Sequence, residues 1–142
     1  MLFRSNSGLC LTIAGGSTVP NTRAVQYNCD WHPSRFWYLV TGGNAGSDYH
    51  VVNANSGLCL TIAGGSDQLN AVAVQYSCDR FTSRRWQVVT TAQGLTLFRN
   101  AGSGWCLTIA GGSAALNANA VQYRCDGHPS RYWMNVSVPG ER

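Results

Sequence analysis

Residues 7–17 read SGLCLTIAGGS, and the same eleven residues return unchanged at 56–66. A third copy, SGWCLTIAGGS, occupies residues 103–113 and differs only at Trp105. Self-similarity with a period of about 20 to 50 residues is typical of repeat architectures. We therefore interpret the chain as one domain, residues 1–142, built from three units that span about residues 1–47, 48–94 and 95–142.

Cysteines mark the same repeat. Each unit contains two cysteines that are 19 residues apart, and equivalent positions are offset by 49 and then by 47 residues. Of the many ways to pair six cysteines, this spacing selects the one that recurs in every unit. Three disulfides in so short a chain indicate an oxidising compartment, so we expect a secreted protein. The predicted disulfides are Cys10–Cys29, Cys59–Cys78 and Cys106–Cys125.

A zinc site is the alternative use of these cysteines. Structural zinc sites draw on closely spaced cysteine pairs and on histidines. This sequence has no C-x-x-C pair and no histidine that recurs in all three units. We therefore expect neither a metal ion nor another cofactor.

Short strands separated by turns fill each unit. In the first unit the candidate strands are LFR, CLTIA, AVQYNC and FWYLV. Four strands in each of three units make twelve. An open solenoid needs polar caps on its end repeats, whereas the end units here resemble the middle one. The sequence therefore predicts an all-β fold, a β-trefoil of about twelve short strands with pseudo-threefold symmetry.

The composition excludes several classes of protein. Charged residues make up 11% of the chain while hydrophobic residues make up 44%, which argues against disorder. No apolar stretch approaches the roughly 18 residues of a membrane-spanning helix, so we expect no membrane insertion. The arginines form no stripe interleaved with aromatic residues, so we expect no nucleic-acid partner. Because the first repeat follows Met1 directly with no signal peptide, we expect a domain excised from a longer secreted protein.

Strand alternation predicts a small pocket in each unit. Thr12 shares the face of Cys10 on one strand, and Tyr27 shares the face of Cys29 on another. If the disulfide joins facing positions of two antiparallel strands, Thr12 faces Tyr27 across a pocket with the disulfide at its base. An aromatic ring beside polar groups is a common way to hold a sugar, and a tyrosine that merely packs on the disulfide fits the pattern equally well. The equivalent pairs are Thr61 with Tyr76 and Thr108 with Tyr123.

An aspartate and an arginine also recur. Asp30 follows the second cysteine directly, and Arg35 stands two residues before Trp37. This pattern predicts either an ion pair that braces the loop between them or a clamp for a ligand. The tryptophan begins an apolar run and is expected in the core. The equivalent residues are Asp79, Arg84 and Trp86 in the second unit and Asp126, Arg131 and Trp133 in the third.

These features resemble the ricin B-chain-like lectins. The shared features are three repeats of about 47 residues, a CL pair on one strand, an aromatic residue two positions before the second cysteine and a tryptophan eight positions after it. The resemblance covers the whole chain and is closest to the carbohydrate-binding modules of secreted bacterial enzymes. It implies a β-trefoil with up to three shallow sugar sites. The candidate sugar-binding residues are Thr12, Tyr27, Asp30 and Arg35, with their equivalents in the other two units.

The chain departs from the family pattern at several site positions. The family's aspartate two residues after the first cysteine is Thr12 here, and Arg35 replaces the glutamine of its Gln-x-Trp signature. We therefore expect the tyrosine platform to be kept, while Asp30 and its equivalents supply the carboxylate. Gln26 joins the site only if a β-bulge near Asn28 turns it toward the pocket. The same holds for Gln75 and Gln122.

The turn DWHPS contains the residue types of a hydrolase triad, namely Asp30, His32 and Ser34. The second unit has Phe81 in place of the histidine. Alternating residues in one short turn cannot easily form the line of nucleophile, base and orienting acid that this mechanism needs. We therefore expect no enzyme activity.

The sequence thus predicts a secreted, monomeric carbohydrate-binding lectin module whose partner is a polysaccharide or glycan. We expect it to be carried beside a catalytic domain in a longer chain. The alternative is a β-trefoil that binds protein, such as a protease inhibitor or the targeting domain of a toxin. Those proteins usually act through one loop, whereas the recurrence of threonine, tyrosine, aspartate and arginine favours threefold ligand binding.

Overall fold

The computed structural model describes residues 1–41 and 48–137, and these residues form twelve strands. All four strands predicted for the first unit are present, so the all-β interpretation is confirmed. A single 3₁₀ turn follows the second strand of each unit, and another precedes the fourth. The strands are β1 (Leu2–Arg4), β2 (Cys10–Ile13), β3 (Ala24–Tyr27), β4 (Trp37–Thr41), β5 (Asp48–Asn53), β6 (Cys59–Ile62), β7 (Ala73–Tyr76), β8 (Trp86–Thr90), β9 (Leu95–Asn100), β10 (Cys106–Ile109), β11 (Ala120–Tyr123) and β12 (Tyr132–Val136).

Six of these strands form an antiparallel barrel. β12 lies between β1 and β9, β8 lies between β9 and β5, and β5 also pairs with β4. Met1 and Trp37 exchange backbone hydrogen bonds of 3.0 and 3.1 Å, which join the edge strands β1 and β4 and close the barrel. The other six strands form the hairpins β2–β3, β6–β7 and β10–β11, which share one register. The predicted β-trefoil is therefore confirmed.

The core is built from the inward-facing residues of the repeat. Trp37, Trp86 and Trp133 are fully buried, as predicted. Each indole Nε1 donates to the carbonyl oxygen of the leucine in the CLTI strand of its own unit, at 2.9 to 3.1 Å. Phe3 and Phe98 pack edge to face, with ring centroids 4.9 Å apart. Because burial of a large apolar side chain contributes about 1.5 to 3 kcal/mol, these rings are a main source of stability.

All three predicted disulfides are present, with Cα atoms 5.1 or 5.2 Å apart. Each joins the first residue of a CLTI strand to a cysteine two residues beyond the end of an AVQY strand. A bridge that closes a loop of this length stabilises the fold by about 3 kcal/mol in the chain-entropy estimate.

Two absences hold for the part of the chain that the structure describes. No group of three or more histidine, cysteine, aspartate or glutamate side chains is arranged to hold a metal ion. No helix within residues 1–41 and 48–137 has the length and apolar character needed to cross a membrane.

Gln26 ties neighbouring repeats together. Its side chain is fully buried. Nε2 donates to the carbonyl oxygens of Ser113 and Ala115 in the third repeat, at 2.9 Å each. Oε1 accepts from the hydroxyls of Ser5 and Ser7 in the first repeat, also at 2.9 Å. Every hydrogen-bonding atom of this amide is therefore used inside the fold.

This placement corrects the prediction that the glutamines bind a ligand. β2 and β3 pair in regular register through Tyr27, so no bulge within that pairing turns Gln26 outward. Gln75 and Gln122 are equally buried, and their Nε2 atoms donate to carbonyl oxygens of the preceding repeat. The three glutamines hold the hairpins around the threefold axis and are not accessible to a sugar.

Candidate functional site

Three equivalent clefts lie between the repeats. Their volumes are about 360, 310 and 270 Å³. We call them cleft 1, cleft 2 and cleft 3, after the repeat that supplies their threonine, valine, tyrosine and arginine. The predicted threonine, tyrosine and arginine thus line the same cleft in every repeat. The residues are Thr12, Val25, Tyr27 and Arg35 in cleft 1, Thr61, Val74, Tyr76 and Arg84 in cleft 2, and Thr108, Val121, Tyr123 and Arg131 in cleft 3.

The strand register differs from the sequence-based prediction. Thr12 lies opposite Val25, and Tyr27 lies opposite Cys10, so Thr12 and Tyr27 are diagonal neighbours rather than a facing pair. The difference arises because Cys29 lies in the loop beyond β3, so the disulfide joins a strand to a loop. No cysteine lines clefts 1–3, and the disulfide is therefore not at their base.

The arginine packs against the tyrosine ring in each cleft. The guanidinium carbon of Arg35 lies 5.0 Å from the ring centroid of Tyr27, and the distance is 4.9 Å in the other two clefts. A cation at this distance from an aromatic ring is attracted by the electrons of its face. The ring itself is half-buried. The contact therefore fixes a tyrosine that still presents part of its surface to the cleft.

A network of hydrogen bonds holds the buried guanidinium in one orientation. Nη1 of Arg35 donates to Thr12 Oγ1 at 3.2 Å and to Ser34 Oγ at 2.8 Å. Nε donates to the carbonyl oxygen of Asn28 at 3.2 Å, and Nη2 donates to Asp30 Oδ2 at 3.2 Å. A guanidinium has about five N–H donors, so one N–H on Nη2 is left for another partner.

Thr12 supports the arginine rather than the open cleft. Its side chain is almost fully buried, and its hydroxyl donates to the carbonyl oxygen of Ser34 at 3.0 Å. The hydroxyl oxygen of Thr12 also accepts a hydrogen bond from Arg35 Nη1. Thr61 and Thr108 make the equivalent contacts.

The aspartates brace the loop and do not line the clefts. The ion pairs Arg35–Asp30, Arg84–Asp79 and Arg131–Asp126 measure 3.2, 3.3 and 3.1 Å, as predicted for a bracing pair. None of the three carboxylates lines clefts 1–3, and the expectation that they take the place of the family aspartate stays a prediction.

The loop also sets the ionisation of Asp126. Its Oδ1 accepts from the backbone N–H of His128 at 3.0 Å, and its Oδ2 accepts from Arg131 Nη2. The backbone hydrogen bond and then the positive charge of Arg131 lower the pKa of Asp126 below its ordinary value of 3.8. The carboxylate is thus held in its charged form by the loop it braces.

An asparagine from the neighbouring repeat completes each cleft, and the sequence analysis missed it. Asn117 lines cleft 1, Asn21 lines cleft 2 and Asn70 lines cleft 3. Their φ values are 66, 70 and 68°, a left-handed conformation that asparagine tolerates better than most residues. Their side chains are exposed. Because they follow the offsets of 49 and 47 residues, the repeat itself carried the signal.

A histidine lines two of the clefts. His32 lies in cleft 1 and His128 in cleft 3. Nδ1 of His32 accepts from the backbone N–H of Ser34 at 3.1 Å, so the neutral ring carries its proton on Nε2. The ring lies against Gly16, where an added Cβ would come within 2.8 Å of Cε1. Phe81 takes the histidine's place in cleft 2 and makes no capping hydrogen bond.

Asp30, His32 and Ser34 do not assemble into a hydrolase triad. His32 Nδ1 lies 2.8 Å from Ser34 Oγ, but Ser34 is fully buried and its hydroxyl is out of a substrate's reach. Asp30 accepts from the backbone N–H of His32 and not from its ring. The carboxylate therefore does not orient the imidazole as the triad mechanism requires.

A sequence model of known proteins matches nearly the whole chain. The model describes the ricin-type β-trefoil lectin domain-like family, and it matches residues 2–76, 37–123 and 82–141 in overlapping segments. No curated protein sequence matches the chain significantly.

Solved structures share the fold. ThreeFoil, a designed threefold-symmetric protein, matches with a TM-score of 0.91 at 25% identity over 96% of this chain and 97% of its own. An exo-β-1,3-galactanase from Clostridium thermocellum matches with a TM-score of 0.90 at 24% identity, over 96% of this chain and 29% of its own. The Rhizoctonia solani agglutinin matches with a TM-score of 0.81 at 17% identity, over 93% of this chain and 89% of its own.

Proposed function

Because this chain belongs to the ricin-type β-trefoil lectin-like domain family, we propose that it is a carbohydrate-binding module with a sugar site in each of clefts 1–3. One observation carries the proposal. A half-buried tyrosine ring, an oriented arginine and an exposed asparagine from the neighbouring repeat line the same cleft three times.

The chemistry of the cleft matches the two kinds of surface that a sugar ring presents. In cleft 1 the ring of Tyr27 and the side chain of Val25 offer apolar surface to the C–H face of a sugar. The amide of Asn117 both donates and accepts, so it suits a hydroxyl group. Nε2–H of His32 and the remaining N–H of Arg35 add two donors. Volumes near the lower end of ligand pockets favour one sugar unit in each cleft.

The remaining predicted residues have supporting roles in this proposal. Thr12 and Asp30 hold the guanidinium of Arg35 in place. The hydroxyl of Thr12 and the carboxylate of Asp30 each accept a hydrogen bond from it. The proposed contacts with sugar are therefore made by the tyrosine, the arginine, the asparagine and the residue at the position of His32. The supporting threonine and aspartate affect binding only through the arginine.

Three sites around one axis suit a polymer or a cluster of glycans. Each site offers one aromatic ring and a few hydrogen bonds, so each binds weakly on its own. Engagement of a second cleft by the same polysaccharide raises the overall affinity by about 10²-fold or more when the spacing allows. We propose that the threefold recurrence serves this avidity.

We further propose that the module is a secreted, monomeric accessory domain. Its three disulfides favour an oxidising compartment. The match to the galactanase spans 29% of that enzyme's chain, so a trefoil of this kind occurs there as part of a larger protein. A module of this type would hold an attached catalytic domain at its polysaccharide substrate.

A glycan array tests the proposal directly. We expect the protein to bind at least one class of glycan, and the triple variant Tyr27→Ala, Tyr76→Ala, Tyr123→Ala to lose that binding. Tyr38→Ala is the matched control, because Tyr38 is exposed on β4 and lies outside the three clefts. Thermal unfolding confirms that each variant is folded. An array without glycan binding, or undiminished binding in the folded triple variant, would overturn the proposal, and a blank array favours the protein-binding alternative.

A further inference from the structure

Cleft 2 departs from the threefold symmetry in how its arginine is held. Arg35 and Arg131 each donate from Nε to a backbone carbonyl oxygen and from Nη2 to an aspartate. Arg84 makes only the Nη1 hydrogen bonds, to Thr61 Oγ1 at 3.3 Å and Ser83 Oγ at 2.8 Å. Its Nε lies 3.3 Å from Asp79 Oδ1, but the two atoms do not have the geometry of a hydrogen bond. Nε is therefore a buried donor without a hydrogen-bond acceptor. Among the described residues, no hydrogen bond reaches its Nη2.

The histidine of the other two repeats is replaced by Phe81 in this one. His32 and His128 accept the backbone N–H that begins the following 3₁₀ turn, whereas a phenylalanine has no acceptor. The ring of Phe81 lies instead beside the arginine, with the guanidinium carbon of Arg84 5.2 Å from its centroid. The same carbon lies 4.9 Å from the ring of Tyr76. The guanidinium of cleft 2 is thus flanked by two aromatic rings.

Asp79 lies 3.3 Å from Nε of this buried guanidinium, but the Nη2 donors of Arg84 stay unfilled in an open cleft. Arg84 is only 9% exposed, yet its Nη2 is not fully buried. No acidic residue lines cleft 2. Hydrogen bonds from a guanidinium to a carboxylate are charge-assisted and often two at a time, which makes them stronger than those to a neutral hydroxyl. The unfilled donors therefore favour an anionic ligand.

We propose that cleft 2 binds the carboxylate of an acidic sugar, such as a uronic acid, while clefts 1 and 3 take neutral sugar units. The inference rests on the proposed function and names the substrate class of one of its three sites. Nη2 of Arg84 donates to the carboxylate, and the rings of Tyr76 and Phe81 flank the sugar. Asn21 binds a hydroxyl group. The exposed Arg80 precedes Phe81 and lines, with Asp79 and Phe81, a shallow pocket distinct from cleft 2.

Site-resolved titration by NMR tests this preference. The probes are methyl glucuronide and methyl galacturonide, each compared with its neutral hexoside. The backbone amide of Tyr76 reports on cleft 2, and those of Tyr27 and Tyr123 report on clefts 1 and 3. We expect at least one uronide to bind cleft 2 about tenfold more tightly than its neutral counterpart, with no such preference in the other clefts.

Substitutions of Phe81 separate this role from a structural one. Phe81→His restores the capping acceptor found in the other repeats. We therefore expect Arg84 to donate hydrogen bonds from Nε and Nη2, as Arg35 does, and the ratio of uronide to hexoside affinity in cleft 2 to fall to about one. Phe81→Leu is the matched control, because leucine also lacks an acceptor and should keep most of the preference. Neither variant removes Arg84, so both are expected to fold.

The outcomes distinguish this inference from the proposed function. Equal binding of uronides and hexosides in cleft 2, with glycan bound in clefts 1 or 3, overturns the inference alone. A preference that survives in Phe81→His also overturns it. Absence of binding in every cleft, with these probes and with the whole glycan array, overturns the proposed function and the inference together.

Discussion

The backbone N–H of Asn117, in the third repeat, donates to the carbonyl oxygen of Gln26, in the first repeat, at 2.8 Å. The same contact links Asn21 to Gln75 and Asn70 to Gln122, at 2.7 and 2.8 Å. Each asparagine is thereby fixed at the edge of a cleft whose tyrosine belongs to another repeat. The clefts are consequently products of the closed trefoil, and no single repeat contains one.

Asn117→Gly should weaken sugar binding in cleft 1. Glycine adopts the left-handed conformation of Asn117 without strain, so the variant removes the amide and keeps the backbone. Loss of one hydrogen bond lowers affinity by about three- to tenfold. NMR titration with a glycan selected by the array measures the effect at Tyr27. Asn6→Gly is the control, because Asn6 is exposed and lies outside clefts 1–3. Unchanged affinity in Asn117→Gly would argue against the proposed role of the amide.

Gln26→Ala should destabilise the fold. The substitution removes the amide that two carbonyl oxygens of another repeat and two serine hydroxyls share as a hydrogen-bond partner. We expect a loss of about 1 to 3 kcal/mol in the free energy of unfolding, measured by chemical denaturation. Gln93→Ala, in an exposed turn, should change stability by less than about 0.5 kcal/mol. Similar values for the two variants would contradict the inter-repeat role of Gln26.

The double variant Cys10→Ser, Cys29→Ser should lose stability but keep its sugar site. The bridge contributes about 3 kcal/mol in the chain-entropy estimate, and neither cysteine lines cleft 1. We therefore expect a lower melting temperature and an affinity for glycan in cleft 1 that changes by less than about threefold below that temperature. Calorimetry and NMR titration measure the two quantities. A lost site in a folded variant would show that the disulfide shapes the cleft.

Asp126 should contribute to stability at neutral pH but not in acid. The backbone N–H of His128 and the charge of Arg131 lower its pKa below 3.8 in the folded protein. A carboxylate of this kind adds stability above its unfolded pKa, and the contribution is lost as the pH falls through the folded pKa. We expect Asp126→Asn to be less stable than the unsubstituted protein at neutral pH, with the difference narrowing below about pH 3.8. A difference that stays constant down to acid pH would contradict this account.

Much of the fold could be predicted from the sequence because the same pattern of strands, cysteines and tryptophan occurs in all three repeats. The CLTI and AVQY strands, the buried tryptophans and the disulfides all followed from spacing and alternation. The register of the hairpin did not, because a disulfide constrains two cysteines without requiring both to lie on paired strands. Cys29 lies beyond β3, which moved Tyr27 opposite Cys10.

The composition of the clefts was less accessible from sequence. Thr12 and Asp30 were expected to meet the ligand, but the buried charge of Arg35 draws both into its own hydrogen bonds. Gln26 was a site candidate only if a β-bulge turned it outward, yet carbonyl oxygens from another repeat satisfy its amide in the interior. Asn117 comes from a different repeat, and its place depends on how the three units close. Contacts across repeats are set by tertiary geometry, which spacing along the chain does not encode.

The most direct measurement of the central claim is a crystal structure of the protein with the glycan that binds best on the array. The account predicts a sugar ring in at least one of clefts 1–3, in contact with the tyrosine of one repeat and the asparagine of its neighbour. A sugar bound elsewhere on the surface, with all three clefts empty, would contradict it.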